Sequence, residues 1–315
     1  MDGPSKRPRL APQRIVMPHF GTLRELALFA VLKHFRGPKC HLPADVVAEA
    51  VSMMRRLCMV GHFLLSCFLG PQLSVLDLSG SHQVDDDTLA VAAAECPNLA
   101  RLNVSGCARV ARPAAALSSM RALTHLNASN CGRVVSLAGL GPLHELMVQN
   151  LSVLVQLPTD LSLVTALDCA GCSKLAPLFQ TQIPRQIESL NLGDSSLASD
   201  ATLLTLAEHC SGLKRLWISG SMEVTDEGLV ALLTRATALE EVRLNSLMHV
   251  SQKIAFCLAR LASLRVCCIL NCPGVTSLFG LAHLERLEVD GNNLELEGGL
   301  AACVSTSFSG QKLDF

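Results

Sequence analysis

The stretch Leu213–Leu233, LKRLWISGSMEVTDEGLVALL, contains two structural patterns in succession. Its first half alternates apolar and polar residues around Leu216 and Ile218, with the period of two that is typical of a short β-strand. Its second half predicts a helix, since Thr225 is a good N-cap and the acidic residues after it suit a positive first turn. The stretch therefore indicates one strand followed by one helix.

The same frame, L-x-x-L-x-L-x-x, recurs along most of the chain. Ten copies begin 20 to 26 residues apart, at Leu73, Leu99, Leu123, Leu143, Val164, Ile187, Leu213, Leu239, Leu264 and Leu284. Ten copies in one frame are very improbable in a chain that is merely rich in leucine, so the sequence indicates a repeat protein. The copies at Leu73, Leu213 and Leu239 have room for a helix of two to three turns, whereas those at Leu143 and Val164 do not.

The repeats resemble the cysteine-containing class of leucine-rich repeats. Four cysteines stand at the ninth repeat position, which we call the ladder position: Cys107, Cys131, Cys172 and Cys272. The segments VDDDTL at 84–89 and VTDEGL at 224–229 add to the likeness. This class is found in F-box/leucine-rich-repeat proteins and other ubiquitin-ligase substrate receptors. The resemblance implies an α/β solenoid, a ribonuclease-inhibitor-like horseshoe of about ten repeats with a helical N-terminal cap.

Composition and charge limit the class of protein further. With 315 residues, 50% hydrophobic and only 3% aromatic, the chain can bury a large aliphatic core. Residues 1–41 hold eight Lys/Arg and two Asp/Glu, or +6, so residues 42–315 carry −7 of the net charge of −1. An acidic body makes nucleic-acid binding unexpected. The apolar runs are far shorter than the ~20 residues of a membrane span, so no membrane anchor is expected.

Four segments are predicted: a disordered basic tail at 1–20, a helical N-terminal cap at 21–70, the repeats at 71–293 and a C-terminal cap at 294–315. Four prolines within the first 18 residues prevent a helix in the tail. Lys6-Arg-Pro-Arg9 resembles a short nuclear-import signal, and a merely solubilising tail is the alternative. The expected localisation is therefore cytoplasmic or nuclear.

The predicted cap contains two helices, the second beginning at Pro43, and has two compatible interpretations. A helical pair would cover the open apolar edge of the first repeat. In addition, TLRELALFAV at 22–31 resembles the elongin-C-binding box, although Ala27 stands where the box has cysteine. Leu42-Pro-Ala-Asp-Val46 is similar to the cullin box of VHL-box receptors, and the same start would also open an F-box. The resemblance implies an elongin-C- or skp-type adaptor and a cullin as partners, with adaptor-binding residues Thr22, Leu23, Leu26, Ala27, Leu42 and Pro43.

The 14 cysteines are expected to be reduced, buried thiols, because most lie at repeat positions and no signal peptide precedes them. Cys169 and Cys172 have a spacing that also serves zinc sites. A zinc ion requires four ligands, however, and no second Cys/His pair lies at a suitable spacing. No metal or cofactor is expected. The chain also lacks the phosphate-binding and hydrolase motifs, so it is not expected to be an enzyme.

The predicted binding site lies on the concave face of the sheet. Side chains alternate along a strand, so the fifth position of each repeat should point out of that face. This central row reads Asp77, Asn103, Asn127, Met147, Asp168, Asn191, Trp217, Arg243, Cys268 and Glu288. Trp217 is the sole tryptophan, and Trp and Arg are enriched among interface hot spots. The alternative is that a helix, loop or tail of this protein covers Trp217. The predicted protein-binding residues are Trp217, Arg215, Arg243, Asn191, Met147, Asp168 and His125.

A solenoid presents a long exposed surface, so the expected activity is protein binding. The family resemblance favours the substrate-recognition subunit of a cullin-RING ubiquitin ligase, with a protein substrate on the concave face. Two alternatives stay open: a leucine-rich-repeat scaffold or inhibitor without a ubiquitin link, and a nuclear DNA-repair or chromatin factor that uses the basic tail.

Overall fold

The structure is a computed structural model that describes residues 43–56, 68–176 and 184–289, together with the backbone of two short strands at 295–296 and 304–305. All of these residues belong to one compact unit, residues 37–315. Within this unit the chain alternates between short parallel strands and a second layer of helices and turns. The apolar side chains between the two layers form the core.

Every one of the ten predicted copies contains a strand that begins at its third position. The strands are β1 (Val75–Asp77), β2 (Arg101–Asn103), β3 (His125–Asn127), β4 (Glu145–Met147), β5 (Ala166–Asp168), β6 (Ser189–Asn191), β7 (Arg215–Ser219), β8 (Glu241–Asn245), β9 (Val266–Leu270) and β11 (Arg286–Val289). They pair in chain order in one parallel sheet, which β13 (Val304–Ser305) extends beyond β11. A separate pair joins β10 (Ser277–Leu278) to β12 (Glu295–Leu296). The predicted leucine-rich-repeat solenoid is confirmed.

The helices follow the lengths of the repeats. They are α1 (Ala44–Arg56), α2 (Asp86–Glu95), α3 (Pro113–Leu117), α4 (Asp200–His209), α5 (Asp226–Arg235) and α6 (Lys253–Ala259). The predicted helices of the Leu73, Leu213 and Leu239 copies are α2, α5 and α6, and Thr225 is the N-cap of α5. The Leu143 copy has no helix, as predicted, and the described part of the Val164 copy has none either.

Burial along most strands follows the period of two, with β5, β9 and β11 as exceptions. In β7 the fourth and sixth repeat positions, Leu216 and Ile218, are buried at 0% and 1% exposure, while Arg215 is exposed and Trp217 is half-buried. Across α5 the apolar face that includes Leu229 and Leu232 is also buried. The third and fifth positions of the repeats therefore form the opposite face of the sheet, which we call the open face. It is the face that the sequence predicts to be concave.

After each strand the chain turns at the eighth repeat position, where all nine described copies have a positive φ. These residues are Gly80, Gly106, Asn130, Asn150, Gly171, Asp194, Gly220, Ser246 and Asn271, with φ between 52° and 73°. Glycine adopts this left-handed conformation without a steric penalty, and asparagine and aspartate tolerate it best among the others. An added Cβ at Gly220 would also meet the carboxylate of Asp194, which would have to move.

The four ladder cysteines join neighbouring repeats. The thiols of Cys107, Cys131 and Cys172 donate to the carbonyl oxygens of Leu78, Val104 and Val148 at 3.2, 3.1 and 3.0 Å. Cys272 donates in the same way to Leu244 at 3.3 Å. Each acceptor is the sixth position of the preceding repeat, so the thiol satisfies a carbonyl at the end of a strand. The ten cysteines that the structure describes form no disulfide, and nine of them are buried.

Helix α1 packs beside β1 at the beginning of the sheet. It buries Val47, Ala50, Val51, Met53 and Met54, an apolar stripe at helical spacing. Arg55 fixes the helix to the first repeat, since its Nε donates to the Ser79 carbonyl at 2.9 Å and its guanidinium forms an ion pair with Asp77. The helix that the sequence predicts from Pro43 is therefore present and covers part of the first repeat.

Several predictions concern residues outside the described ranges. The basic tail, the first cap helix and most of the predicted C-terminal cap lie there, as do Thr22, Leu23, Leu26, Ala27 and Leu42. Pro43 is described, is exposed and directly precedes α1. Among the described helices none has the length and apolar content to cross a membrane.

Candidate functional site

The residues of the predicted central row lie side by side on the open face. Strand register aligns Asp77 with Asn103, and each later member pairs with the next through to Cys268 and Glu288. Alternation along the strand is therefore sufficient to identify which residues share this face.

Three members of the row are buried, which the sequence did not predict. Asp168, Cys268 and Glu288 are exposed by only 5%, 3% and 7%. Asp168 accepts from Gln149 Nε2 at 2.5 Å and from Asn191 Nδ2 at 3.1 Å, because polar side chains of adjacent repeats converge on it. Asp168 therefore lies in the predicted row but exposes little of its side chain to a partner, and its role in binding stays a prediction. Burial also raises the pKa of the Cys268 thiol to about 12, so the thiol donates as a neutral group to Glu288.

The Asp and Asn side chains of the row also shape the turn that follows each strand. Asn191 Oδ1 accepts from the backbone N–H of Gly193 at 3.1 Å, and Asp168 Oδ1 accepts from Ala170 at 3.1 Å. Asp77, Asn103 and Asn127 make the same contact two residues ahead. Such side-chain turns explain why Asx residues recur at this position. Asn191 and Asp168 thus have a structural role beside any role in binding.

A groove of about 310 Å³ crosses the open face of β1–β4. His125 and Met147, two of the predicted binding residues, line it together with Val75, Arg101 and Glu145. Val75 is 54% exposed although it is apolar. His125 lies between Thr124 Oγ1, 2.7 Å from its Nδ1, and Glu145 Oε1, 3.6 Å from its Nε2. The groove offers apolar surface with both signs of charge nearby. Val75, Arg101 and Glu145 were not predicted, although they follow from the same alternation at the third repeat position.

The other predicted residues form a second cluster on β7 and β8. The guanidinium carbon of Arg243 lies 5.4 Å from the centroid of the Trp217 ring, within the range of a cation–π contact. Glu241 Oε1 accepts from Trp217 Nε1 at 3.1 Å and from Arg243 Nε at 2.6 Å. Arg215 is exposed and pairs in register with Glu241. We call these four residues the Trp217 cluster. Glu241 was missed because a lone acidic residue has no sequence signal that distinguishes it from a solvated charge.

The structure thus divides the predicted binding residues between two places. His125 and Met147 belong to the groove on β1–β4, while Trp217, Arg215 and Arg243 belong to the Trp217 cluster. Asp168 and Asn191 lie on β5 and β6 between them. Trp217 is half-buried rather than fully covered.

No group of three or more His, Cys, Asp or Glu side chains in the described part of the chain is arranged to hold a metal ion. Cys169 and Cys172 instead contact different backbone carbonyls, those of Asn191 at 3.5 Å and Val148 at 3.0 Å. Burial raises the pKa of Cys172 to about 11 and that of Cys169 well above its ordinary value. Both thiols therefore fill the core as neutral groups.

This chain has the leucine-rich-repeat fold, which is defined here by three features. They are a parallel sheet with one strand per repeat, a left-handed turn after the strands and a ladder of buried thiols. No family model and no curated protein matches the sequence.

Among solved structures the chain is similar to a chain of the yeast Rad7–Elc1 complex, with 14% identity and a TM-score of 0.39 over 89% of this chain and 93% of that one. It is also similar to an internalin, InlF, of Listeria monocytogenes, with 14% identity and a TM-score of 0.34 over 88% of this chain and 100% of that one. Human 5T4 is 18% identical, with a TM-score of 0.28 over 73% of this chain and 71% of that one.

Proposed function

We propose that this protein binds another protein through the open face of its sheet. The observation that carries the proposal is the Trp217 cluster, which places the sole tryptophan and two arginines on a surface that the core does not use. Trp and Arg dominate binding energy in protein interfaces because they combine a large apolar area with directional hydrogen bonds. The groove on β1–β4 lies on the same face and adds to the surface available to a partner.

We propose further that the chain is the substrate-recognition subunit of a cullin-RING ubiquitin ligase. The support comes from the sequence at 22–31 and 42–46, which resembles the elongin-C-binding box and the cullin box. Helix α1 begins directly after Pro43 and is fixed to β1 through Arg55. A partner bound at the box that ends at Val46 would thus be connected to the repeats through α1, as a receptor requires.

In this proposal the chain itself performs no catalysis. Cysteine is the strongest nucleophile among protein side chains, but only its deprotonated form, the thiolate, reacts. Burial raises the pKa of Cys107, Cys172 and Cys210 to about 11, which keeps these thiols protonated at neutral pH. The ubiquitin-transfer chemistry would belong to the partner subunits.

The test is a binding measurement between the full chain and purified elongin B–elongin C. We expect the wild-type chain to bind, Leu23→Ser to lose binding, and Trp217→Ala to bind the adaptor as the wild type does. The third result is the matched control, because Trp217 belongs to the face assigned to the substrate. If the wild-type chain binds neither this adaptor nor a skp-type adaptor, the ligase assignment is wrong and the scaffold or inhibitor alternative takes its place.

A further inference from the structure

Arg243 is held in one orientation by two neighbours. Its Nε donates to Glu241 Oε1 at 2.6 Å, and its guanidinium lies over the Trp217 ring with 5.4 Å between the guanidinium carbon and the ring centroid. Trp217 Nε1 donates to the same Glu241 oxygen at 3.1 Å, so the ring and the guanidinium are fixed against each other. Two contacts on one side of an arginine side chain remove much of the rotamer freedom that binding would otherwise have to restrict.

The outer edge of Arg243 is available to a ligand. Its two terminal nitrogens make no hydrogen bond to any residue that the structure describes, because the contact with Glu241 engages Nε, and 26% of the side chain is exposed. Terminal guanidinium nitrogens form a planar pair of donors whose spacing matches the two oxygens of a carboxylate.

The charge around this edge is positive. Arg215 is exposed on the same face and forms no ion pair with a described residue, so the cluster contains two guanidinium groups and one carboxylate, or +1. Glu241 is largely covered by its neighbours, with 18% of its side chain exposed. Two basic residues that directly precede strands β7 and β9 have partners of their own: Lys214 pairs with Glu188 at 2.9 Å and Arg265 with Glu285 at 3.0 Å.

We propose that Arg243 binds the side-chain carboxylate of an Asp or Glu in an extended segment of the partner protein, with Trp217 and Glu241 as positioning residues. The proposal rests on the proposed function and names the chemistry of the partner. The positive charge of Arg215, at the edge of the site, would also attract the carboxylate. Trp217, beneath the guanidinium, would contribute by keeping the donors aligned as well as by any direct contact.

Two observations favour an internal acidic side chain over other anions. The excess charge of +1 matches a monoanionic carboxylate better than a phosphate group, which carries about −1.5 to −2 at neutral pH. The open face also continues on both sides of the cluster, onto β6 and β9, so a partner chain can pass across it without ending there. A partner that bound through its C-terminal carboxylate would not need the face to continue on both sides.

The experiment selects short random peptides displayed as a library against the immobilised full chain. Enriched peptides are then synthesised, and their affinities are measured for the wild type and for four variants. Arg243→Gln removes the donors, Arg243→Lys keeps the charge without the planar pair, and Trp217→Phe keeps the ring face without the N–H. Arg265→Gln is the matched control, because it removes a surface arginine outside the cluster. Melting temperature is recorded for each variant.

We expect enrichment of Asp or Glu at one peptide position. Arg243→Gln should weaken binding at least tenfold with an unchanged melting temperature, Arg243→Lys should weaken it less, and Arg265→Gln should have no effect. In addition, replacing the acidic peptide residue by its amide should weaken binding to the wild type but have little effect on binding to Arg243→Gln. That loss of discrimination identifies a direct contact.

The proposal is overturned if no peptide is enriched, or if the enriched peptides lack an acidic residue. It is also overturned if phosphoserine at the acidic position binds tighter than Asp or Glu, if amidation of the peptide C-terminus abolishes binding, or if Arg243→Gln still discriminates acid from amide. Each of these outcomes leaves adaptor binding untouched. Failure of this proposal is therefore distinguishable from failure of the ligase assignment.

Discussion

Cys107 and Cys172 show how burial controls chemistry at single residues. Burial raises the pKa of each thiol to about 11, against the ordinary value of 9.0. At pH 8 only about one thiol in a thousand is then a thiolate, the form that reacts with alkylating reagents. We predict that both cysteines stay unmodified when the folded chain is treated with iodoacetamide, as judged by peptide mass spectrometry.

Cys257 provides the internal control, since it is half-exposed on α6 and should be modified in the same sample. Denaturant should make all the cysteines reactive. Rapid modification of Cys107 in the folded chain, or zinc bound in a stoichiometric amount, would contradict the assignment of these thiols to the core.

For single residues, the sequence predicted the face of the strand on which a side chain lies better than it predicted how deeply that side chain is buried. Leu216 and Ile218 were correctly placed in the core because alternation depends only on neighbours along the strand. The burial of Asp168 could not be predicted, since Gln149 and Asn191 come from adjacent repeats. The left-handed turn at the eighth position did have a signal, the recurrence of Gly, Asn and Asp just before the ladder residue, but the leucine frame alone does not reveal it.

At the scale of elements, acidic residues at helix starts connect successive repeats. Asp200 of α4 accepts from the backbone N–H of Thr225 at 2.9 Å and from that of Gly228 at 3.2 Å. Asp226 of α5 accepts from the N–H of Ser251 at 2.7 Å, one repeat further on. The same repeat position in the Leu73 copy, Asp86, accepts from Ala111 and Arg112. The carboxylates thus stabilise their own helix and align the next.

Asp226 predicts an acid dependence of stability. Burial acts to raise the pKa of Asp226, but the hydrogen bonds from Ser251 and the charge of Lys253 outweigh it, so the pKa is lowered in the folded chain. A lowered pKa stabilises the fold above the unfolded-state value of about 3.9, and this contribution is lost as pH falls through the folded-state pKa.

We therefore predict that Asp226→Asn lowers the melting temperature at pH 7 by roughly 2 °C, with the difference shrinking below about pH 4. Thermal denaturation followed by circular dichroism across this pH range is the measurement. Asp87→Asn is the control, because Asp87 is an exposed first-turn residue of α2, and this variant should match the wild type at every pH. A pH-independent difference for Asp226→Asn would show that charge is not the cause.

Element lengths were largely predictable, because the interval between copies limits what fits behind each strand. The intervals after Leu73, Leu213 and Leu239 correctly indicated helices. The copy at Ile187 has the same 26-residue interval as Leu213 and contains α4, which the sequence reasoning did not single out. The bounds of a helix are set by its capping residues. The hydroxyl of Ser199, for example, accepts from the N–H of Thr202 at the start of α4. Such caps depend on local geometry that the leucine frame does not encode.

At the scale of the whole molecule, a solenoid needs its end repeats covered. Ser81 illustrates the need: it occupies the ladder position of the first repeat, and its buried Oγ has no hydrogen-bond partner in the described structure. In the Leu213 copy the corresponding Ser221 donates to Ala198 of the preceding repeat. Among the described residues β1 is the first strand of the sheet, and α1 buries its apolar side chains beside it.

We predict that a chain truncated to begin at Gly70 aggregates, because it lacks α1 and exposes the apolar edge of the first repeat. A chain that begins at Gly37, the first residue of the compact unit, retains α1 and should stay monomeric. Size-exclusion chromatography with light scattering compares the two. A soluble, monomeric chain from Gly70 would show that the repeats need no N-terminal cover.

Site-specific photocrosslinking tests whether the open face binds the partner. A photoreactive amino acid is placed at Met147 in the groove on β1–β4 or at Phe256, a 57% exposed position on α6 behind the sheet. The protein that co-purifies with the wild-type chain should crosslink from position 147 and not from position 256. Crosslinking from position 256 alone would place the partner on the helical side and rule out the open face as the binding surface.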